Sequence, residues 1–381
     1  MGKRVFIIAG EASGDVHGAN LVRAMAAQDP YLSFRGVGGR ELQEAGVQLL
    51  WDAGEVAVVG LLEVARHLAT ITRAFRLAVH TLRTWQPHLL ILIDYPDFNL
   101  LVARKAKRLG IPVMYYISPQ VWAWRSGRMK TIRGCVDRMV VLFPFEATLY
   151  REAGVPVSFV GHPFLDTVAA RDRGALGRRL GLSLGGQPLL GLLPGSRQNE
   201  VRALLPVMLE AASSLAQRMP HANFLLPLAS TIRADQVRPL LQGRDLPLTV
   251  MEGRTHEAIQ ACDVIVAASG SVTLEAAILG TPLVIVYKVH RLSYEIGRRL
   301  IRVKHIGLVN LVAGETVAPE LIQDQVTAEG IVKEVMGILK DPGRQAWIRS
   351  RLEEVRRRLG SPGASIRAAA IALSLVGRPK T

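Results

Sequence analysis

The chain has 381 residues, enough for two domains of about 150 to 190 residues each, and 49% of them are apolar against 21% charged. That balance can bury a large core and excludes a peptide module or a disordered tail. The 47 basic and 32 acidic side chains leave a net charge of +15 and a pI near 10.4, while a mean hydropathy of +0.22 puts excess apolar area on the surface.

From the N-terminus, the first apolar run, Val5 to Gly10, ends at Glu11 and Asp15 without a small-residue cleavage site, so it does not read as a secretory signal. It reads as a strand that closes on Gly10-Glu11-Ala12-Ser13-Gly14-Asp15. Small residues at a strand-to-helix turn let a ligand approach the backbone, but two carboxylates inside the loop would repel a pyrophosphate. Glu11 and Asp15 therefore suit a sugar hydroxyl or general-base role, and Asp15 also suits a helix cap.

Between Leu61 and Arg83, helical projection puts Leu61, Val64, Leu68, Ile71, Phe75, Val79 and Leu82 on one face and Arg66, Arg73, Arg76 and Arg83 on the other. This is an amphipathic helix, either packed on a sheet with a solvated arginine face or meeting anionic lipid. The strand Leu89 to Ile93 then leads into Asp94-Tyr95-Pro96-Asp97-Phe98-Asn99. Ligands of open parallel sheets bind beyond the carboxyl ends of the strands, which favours Asp97 as a site residue, with a helix N-cap as its alternative role.

After the strand Val113 to Ile117, Trp122, Trp124, Arg125, Arg128, Lys130 and Arg133 gather two indoles beside four cations. Such a segment can embrace a phosphorylated amphiphile, seat the protein at a bilayer interface, or bury its tryptophans. The charge-free run Leu109 to Trp124 is broken by Pro112 and Pro119 and is too short for a membrane span of about 20 residues. Cys135 and Cys262 are too few for a disulfide framework or a zinc site, which together with the missing signal points to the cytoplasm. Strands at Met139 to Phe143 and Val157 to Val160 complete a first domain over 1–170, and the Gly- and Arg-rich stretch Arg171 to Gln187 reads as the linker.

The second half repeats the rhythm with strands at Leu189 to Leu193, Asn223 to Pro227, Leu248 to Met251, Val264 to Ala267, Leu283 to Tyr287 and Ile306 to Val309. Continuous apolar strands alternating with helical sequence imply parallel α/β sheets covered on both faces, here in a second domain over 186–343. Residues 344–381 carry helical periodicity alone and are expected to pack back on the N-terminal domain.

Two strand ends in this half suit phosphate. Gly195, Ser196 and Arg197 offer open backbone, a hydroxyl and a bidentate fork, and Ser269, Gly270, Ser271 and Thr273 repeat the turn with Glu275 one turn into the following helix. Turn amides facing a diphosphate and a carboxylate facing ribose hydroxyls make a nucleotide-diphosphate site. No DxD motif occurs to hold a divalent cation, so neither a metal nor another cofactor is expected. The absence of zinc-finger spacing, RNP-like aromatics or a lysine-rich tail argues against nucleic acid as the anionic partner, and basic charge with high hydropathy favours an anionic membrane surface.

These segments resemble the lipid-A-disaccharide synthases, GT-B glycosyltransferases of the outer-membrane lipopolysaccharide pathway. The likeness runs over Gly10 to Ala19, Gly36 to Gly39, Asp94 to Leu100, Ser118 to Arg125, Phe143 to Glu146, Phe159 to Pro163, Pro194 to Arg197, Ser269 to Glu275, Val286 to Lys288 and Val309 to Leu311, nearly the whole chain. The resemblance implies two Rossmann-like domains facing across a cleft, the C-terminal one holding a UDP-sugar and the N-terminal one the acceptor. It implies condensation of UDP-2,3-diacylglucosamine with 2,3-diacylglucosamine 1-phosphate to a β-1,6 disaccharide 1-phosphate and UDP, with the UDP-sugar a substrate rather than a cofactor. It also implies a peripheral place on the inner face of the cytoplasmic membrane. Carried over residue by residue, Asp97 becomes the base with Glu11 or Asp15 second, and Asn310, Glu275 and Gln323 become donor contacts. A muramyl-lipid glycosyltransferase, a UDP-sugar epimerase and a non-enzymatic membrane module are the competing readings, and the oligomeric state stays open, a homodimer included.

Overall fold

The computed structural model describes residues 2–52, 61–119, 121, 127–169, 173–181, 186–291, 294–295 and 303–377. The chain divides into two compact units, residues 1–163 with 360–381, and residues 164–359.

The first unit is built on seven parallel strands, β1 (Arg4–Ala9), β2 (Ser33–Gly38), β3 (Gln48–Asp52), β4 (Leu89–Ile93), β5 (Val113–Tyr116), β6 (Arg138–Val141) and β7 (Val157–Phe159), in the order β3-β2-β1-β4-β5-β6-β7. Both faces of the sheet are covered, which is why β4 and β5 are buried along their whole length and read as unbroken apolar runs. On one face, α3 (Leu61–Thr84), α4 (Pro96–Arg108), α5 (Arg128–Cys135) and α6 (Pro144–Glu152) bury Ala78, Leu82, Phe98, Val102, Ile132 and Tyr150 against the strands. On the other, α1 (Ala12–Gln28) contributes Leu21, Val22 and Met25 beside Leu42 of α2 (Arg40–Glu44). Along the described part of α3, Ala74, Ala78 and Leu82 face the core while Arg73, Arg76 and Arg83 are exposed. The side chains of Leu61, Val64, Arg66 and Leu68 lie outside the described residues.

β2 and β3 have no counterpart in the sequence reading. Glycines at 36 and 38 thin the apolar run of β2, and a Cβ at Gly36 would come within 2.6 Å of the Ile7 carbonyl oxygen on the neighbouring strand. β3 is a half-buried edge, so its pattern is mixed.

The second unit carries six parallel strands, β8 (Leu189–Leu193), β9 (Asn223–Leu228), β10 (Leu248–Glu252), β11 (Val264–Ala268), β12 (Leu283–Tyr287) and β13 (Glu320–Ile322), in the order β10-β9-β8-β11-β12-β13. Its helices are α7 (Phe164–Thr167), α8 (Arg173–Leu180), α9 (Gln198–Arg218), α10 (Ala234–Leu241), α11 (Thr255–Ala261), α12 (Val272–Leu279), α13 (Leu308–Ala313), α14 (Ala328–Leu339) and α15 (Pro342–Arg358). The strand expected at Ile306 to Val309 is not one: the chain enters α13 there, and β13 pairs with β12 instead, Ile285 against Glu320. A four-residue apolar run cannot by itself tell a strand from a buried helix turn.

Two boundaries also move. The units part at Pro163, ahead of the Arg171 to Gln187 stretch, within which residues 173–180 form α8 with Arg179 paired to Glu257 at 2.8 Å. Of the terminal helices, α15 belongs to the second unit, burying Ile348, Leu352 and Val355, and Arg358 donates to the carbonyls of Val312 and Ala313. Only α16 (Ala364–Val376) returns to the first unit, where it packs on α1 and Arg367 donates twice to the Val160 carbonyl, at 2.9 and 2.7 Å. No helix among the described residues is long and apolar enough to cross a membrane.

Candidate active site

Both sheets reverse their winding once, between β1 and β4 in the first unit and between β8 and β11 in the second. At such a switch point adjacent loops leave the carboxyl ends of neighbouring strands in opposite directions and open a crevice. Of the five loops singled out from the sequence, the four after β1, β4, β8 and β11 sit at these two places, and the tryptophan-rich segment follows β5.

In the first unit the crevice is acidic and its backbone is strained. Asp94 and Tyr95, between β4 and α4, hold φ of +48° and +44°, the left-handed region. The surroundings enforce it: Asn99 donates to the carbonyls of Ile93 (3.1 Å) and Asp94 (2.7 Å), and the Tyr115 hydroxyl donates to the latter at 2.5 Å. Strain held in this way is characteristic of functional turns. The Tyr95 ring lies on Gly10, where a Cβ would come within 2.4 Å of it, so the β1 and β4 loops touch. Burial, and then the charge of Glu11, push the Asp94 carboxyl up to about 6. Burial followed by the charges of Asp97 and Glu11 raises the Tyr95 phenol. Glu11, Asp94, Tyr95 and Asp97 thus share one electrostatic neighbourhood; of the four, Asp94 reads from the sequence as structural and Tyr95 carries no role there.

Asp97, in the first turn of α4, has its side chain 73% exposed and paired with the guanidinium of Arg128 at the start of α5. Arg128, expected to face acceptor or membrane, is itself only 14% exposed and serves Asp97. Asp15 turns out otherwise than expected. Its carboxylate is buried and accepts from the backbone N–H of Gly39 (2.6 Å), Glu41 (2.9 Å) and Leu42 (3.4 Å), capping α2 across from α1. With both carboxylate oxygens held by backbone amides, Asp15 shapes the loop. The same contact requires glycine at 39, where a Cβ would lie 2.7 Å from Asp15 Oδ2.

Trp122, Trp124 and Arg125 lie outside the described residues. The base of their loop is pinned by buried Glu146, which accepts from the Ser118 hydroxyl at 2.7 Å and the Phe143 amide at 3.3 Å. Arg133 is exposed on α5.

In the second unit a cavity of about 670 Å³ opens at the β8/β11 switch point, lined among others by Gly195, Ser196, Arg197, Ser269, Gly270, Ser271, Glu275, Arg254 and His256. Gly195, at φ +117°, lets the chain turn back so that Glu200 accepts from the amides of Ser196 (3.0 Å) and Arg197 (3.2 Å) and pairs with the Arg197 guanidinium at 3.1 Å. The amides expected to be open to phosphate are therefore held by an internal carboxylate, a capping box that an incoming anion must displace. At the second turn the amides of Gly270, Ser271 and Val272 have no partner among the described residues and open α12 toward the cavity. The Ser269 hydroxyl donates to the Ile306 carbonyl (3.1 Å) and that of Thr273, fully buried, to Gly270 (2.8 Å), so both brace the turn. Glu275 faces His256 at 2.8 Å, a contact that raises the imidazole pKa against the opposing pull of burial.

Asn310 and Gln323 differ from expectation. Neither lines the cavity. Asn310 is fully buried and uses its whole amide on the amides of Val317 and Ala318, the Ala318 carbonyl and Glu320. Gln323 both accepts from and donates to the backbone of Val289, at 2.8 and 3.0 Å. Their effect on the cavity is indirect: Glu320, held by Asn310, accepts from the amides of Ile306 and Gly307, and Ile306 in turn receives Ser269. Arg254 and His256, after β10, went unread; the Gly253-Arg254-Thr255-His256 turn at a strand end was their signal in the sequence.

Residues 5–373 match the family model described as lipid-A-disaccharide synthetase. A lipid-A-disaccharide synthase of Geobacter sulfurreducens is 51% identical over 379 residues, covering 98% of each chain. Among solved structures, the glycotransferase of kitacinnamycin aligns with a TM-score of 0.66 at 15% identity, covering 98% of this chain and 100% of that one. The S. aureus MnaA–UDP co-structure aligns with a TM-score of 0.63 at 13% identity over 99% of both. These two structures share the two-sheet GT-B fold, whereas the match in sequence runs through both switch points and every loop described above, and by it the chain belongs to the lipid-A-disaccharide synthase family, enzymes of glycosyl transfer.

Proposed function

We propose that the chain condenses UDP-2,3-diacylglucosamine with 2,3-diacylglucosamine 1-phosphate at an anionic membrane surface, giving a β-1,6-linked disaccharide 1-phosphate and UDP. The observation that carries this reading is the pair of switch points, one presenting the exposed carboxylate of Asp97 at the end of β4, the other a cavity with the exposed guanidinium of Arg197 and α12 amides that have no partner among the described residues.

A single inverting displacement asks for both. The acceptor 6-hydroxyl oxygen attacks the anomeric carbon as the bond to the diphosphate breaks, and its proton passes to a carboxylate. Asp97 is the candidate, since it is exposed at a strand's carboxyl end and oriented by Arg128, with Glu11, whose charge also reaches Tyr95, as the second. As UDP departs, charge grows on the diphosphate. Arg197, released from Glu200, and the first-turn amides of α12 meet that charge, and pre-aimed donors of this kind are worth about 3 to 4 kcal/mol each in comparable sites. Glu275 is left to the ribose hydroxyls, exchanging its contact with His256 for them. The UDP of the S. aureus co-structure supports the donor class.

The test is UDP release from purified protein with both detergent-dispersed substrates, the lipid product being weighed by mass spectrometry. Acceptor-dependent UDP and a disaccharide 1-phosphate are expected, with Asp97→Asn lowering turnover by about 100-fold while UDP affinity holds. Arg197→Ala should weaken UDP binding. Turnover within tenfold of wild type in Asp97→Asn moves the base elsewhere, and silence with this substrate pair reopens the acceptor.

A further inference from the structure

Between Asp97 and Asp137 the sequence has no Asp or Glu and eight Lys or Arg. The fold gathers part of that charge on one surface of the first unit. Arg104, Lys107 and Arg108 from the second half of α4 and Lys130 from α5 line a cavity of about 450 Å³ floored by the buried Cys135. One wall is the backbone of Gly134, where a Cβ would meet nothing within 4 Å. Arg104 donates to the Thr131 hydroxyl at 2.8 Å, which sets the guanidinium at the rim, and Lys107 pairs with Asp137. Arg108 and Lys130 have no carboxylate partner among the described residues, so the cavity keeps a surplus of positive charge.

Two leucines are exposed beside these cations, Leu101 on α4 at 49% and Leu109 at its C-cap at 41%. Their spacing puts them one helix turn to either side of Lys105, so apolar and cationic side chains alternate along one stripe. Leucines interleaved with cations suit the headgroup boundary of a bilayer, where apolar insertion and attraction to anionic lipid add. A nucleic acid would gain nothing from them.

We propose that α4 and α5 form an anionic-phospholipid site, with a lipid phosphate entering the cavity among Arg104, Lys107, Arg108 and Lys130 while Leu101 and Leu109 enter the interface. This rests on the reading of a membrane-borne acceptor. Asp97 begins the helix whose far half meets the lipid, about 10 to 16 Å along the axis, so the candidate base stays close to the surface from which an acylated acceptor projects.

The experiment is sedimentation of the full chain with phosphatidylcholine vesicles, with and without phosphatidylglycerol. Wild type should bind the phosphatidylglycerol vesicles preferentially. Replacing Arg104, Arg108 and Lys130 together by Gln should weaken that binding by about 100-fold, since each basic residue at an anionic surface is worth about 1 kcal/mol, or about fivefold. Leu101→Ser with Leu109→Ser should weaken the binding that remains at high salt. An unchanged near-UV circular dichroism spectrum and thermal midpoint certify that the first unit of each variant is folded. Equal binding by wild type and the triple variant overturns the assignment, and so does wild type that ignores the vesicles while inorganic phosphate protects it from thermal unfolding. Product from detergent-dispersed substrates without vesicle binding by this face would refute the site alone, whereas no product at all would refute the reaction.

Discussion

Asp94→Asn should make the protein more stable at neutral pH and leave it unchanged in acid. The carboxyl sits in a half-buried turn within reach of the Glu11 charge, and its pKa stands at about 6 in place of 3.8. At about 1.36 kcal/mol per tenfold, this gap corresponds to about 2 to 3 kcal/mol of preference for the neutral form in the folded chain. The sign follows from proton linkage. Between pH 4 and 6 the folded state holds a proton that the unfolded chain has released, so stability falls as pH rises through that window and is level above it. Asparagine carries no charge, tolerates the left-handed φ of +48°, and can still accept from the Tyr95 amide as the carboxylate does. The gain should therefore be near its full size at pH 8 and absent near pH 4. For a unit of this length, 2 to 3 kcal/mol corresponds to a rise of roughly 4 to 12 °C in the midpoint of its thermal transition. Unfolding followed by near-UV circular dichroism across that pH range measures it. An equal midpoint difference at both ends, or a less stable variant at pH 8, would show that burial and Glu11 do not set the energy of this turn.

In the second unit, Asn310→Ala should cost about 2 to 4 kcal/mol, because the buried amides of Val317 and Ala318 and the carboxylate of Glu320 all lose a partner. A shift in the denaturant midpoint at constant slope measures this, and a cost below about 1 kcal/mol would mean that water replaces the side chain. His256, titrated by NMR, should lose its proton above pH 6.5 in the native protein, and Glu275→Gln should bring that midpoint down. Its raised pKa contributes stability that is complete below pH 6.5 and lost as pH rises through the native value. Saturating UDP should have the same effect as the substitution if ribose takes Glu275 from His256, and an unmoved titration would exclude that exchange.

Much of the architecture was legible because parallel strands buried on both faces leave unbroken apolar runs, as in β1, β4, β8 and β11, and each ends on a loop of Gly, Ser or Asp. Those four strands are also the ones flanking the switch points, so the loops that matter follow the clearest signals. What escaped was written in weaker chemistry. β2 carries glycines where its backbone approaches β1, and β13 is three half-buried residues at an edge, so neither has apolar contrast. Site roles were harder, since residue type does not say which way a side chain turns. Asp15 and Asn310 look like ligands for a substrate until their hydrogen bonds are followed, and every one of those bonds goes to the protein's own polar groups. Asp94 was unremarkable in sequence because its distinction is a backbone angle and a buried environment.

The resting state of each switch point shows why glycosyl transfer profits from having two. A base needs a carboxylate with a lone pair to give, and a leaving diphosphate needs cations and amides with hydrogens to give. Placed together these groups satisfy one another, as Asp97 does with Arg128, and as Glu200 does with Arg197 and the amides of Ser196 and Arg197. On the reading proposed above, such pairs brace the loops, and a substrate that engages Asp97 or Arg197 exchanges an ion pair for its own contact, which costs affinity and adds selectivity. Asp97 and Arg197 are each about three-quarters exposed and can turn to a ligand, whereas their partners Arg128 and Glu200 are 14% and 29% exposed and need a new partner from the substrate when the pair opens. Asp15, buried and bound to three amides, is not exchangeable on those terms. On the reading proposed above, exposure of the side chain itself, more than the identity of the carboxylate, separates the residues offered to substrate from those that hold the loops in place.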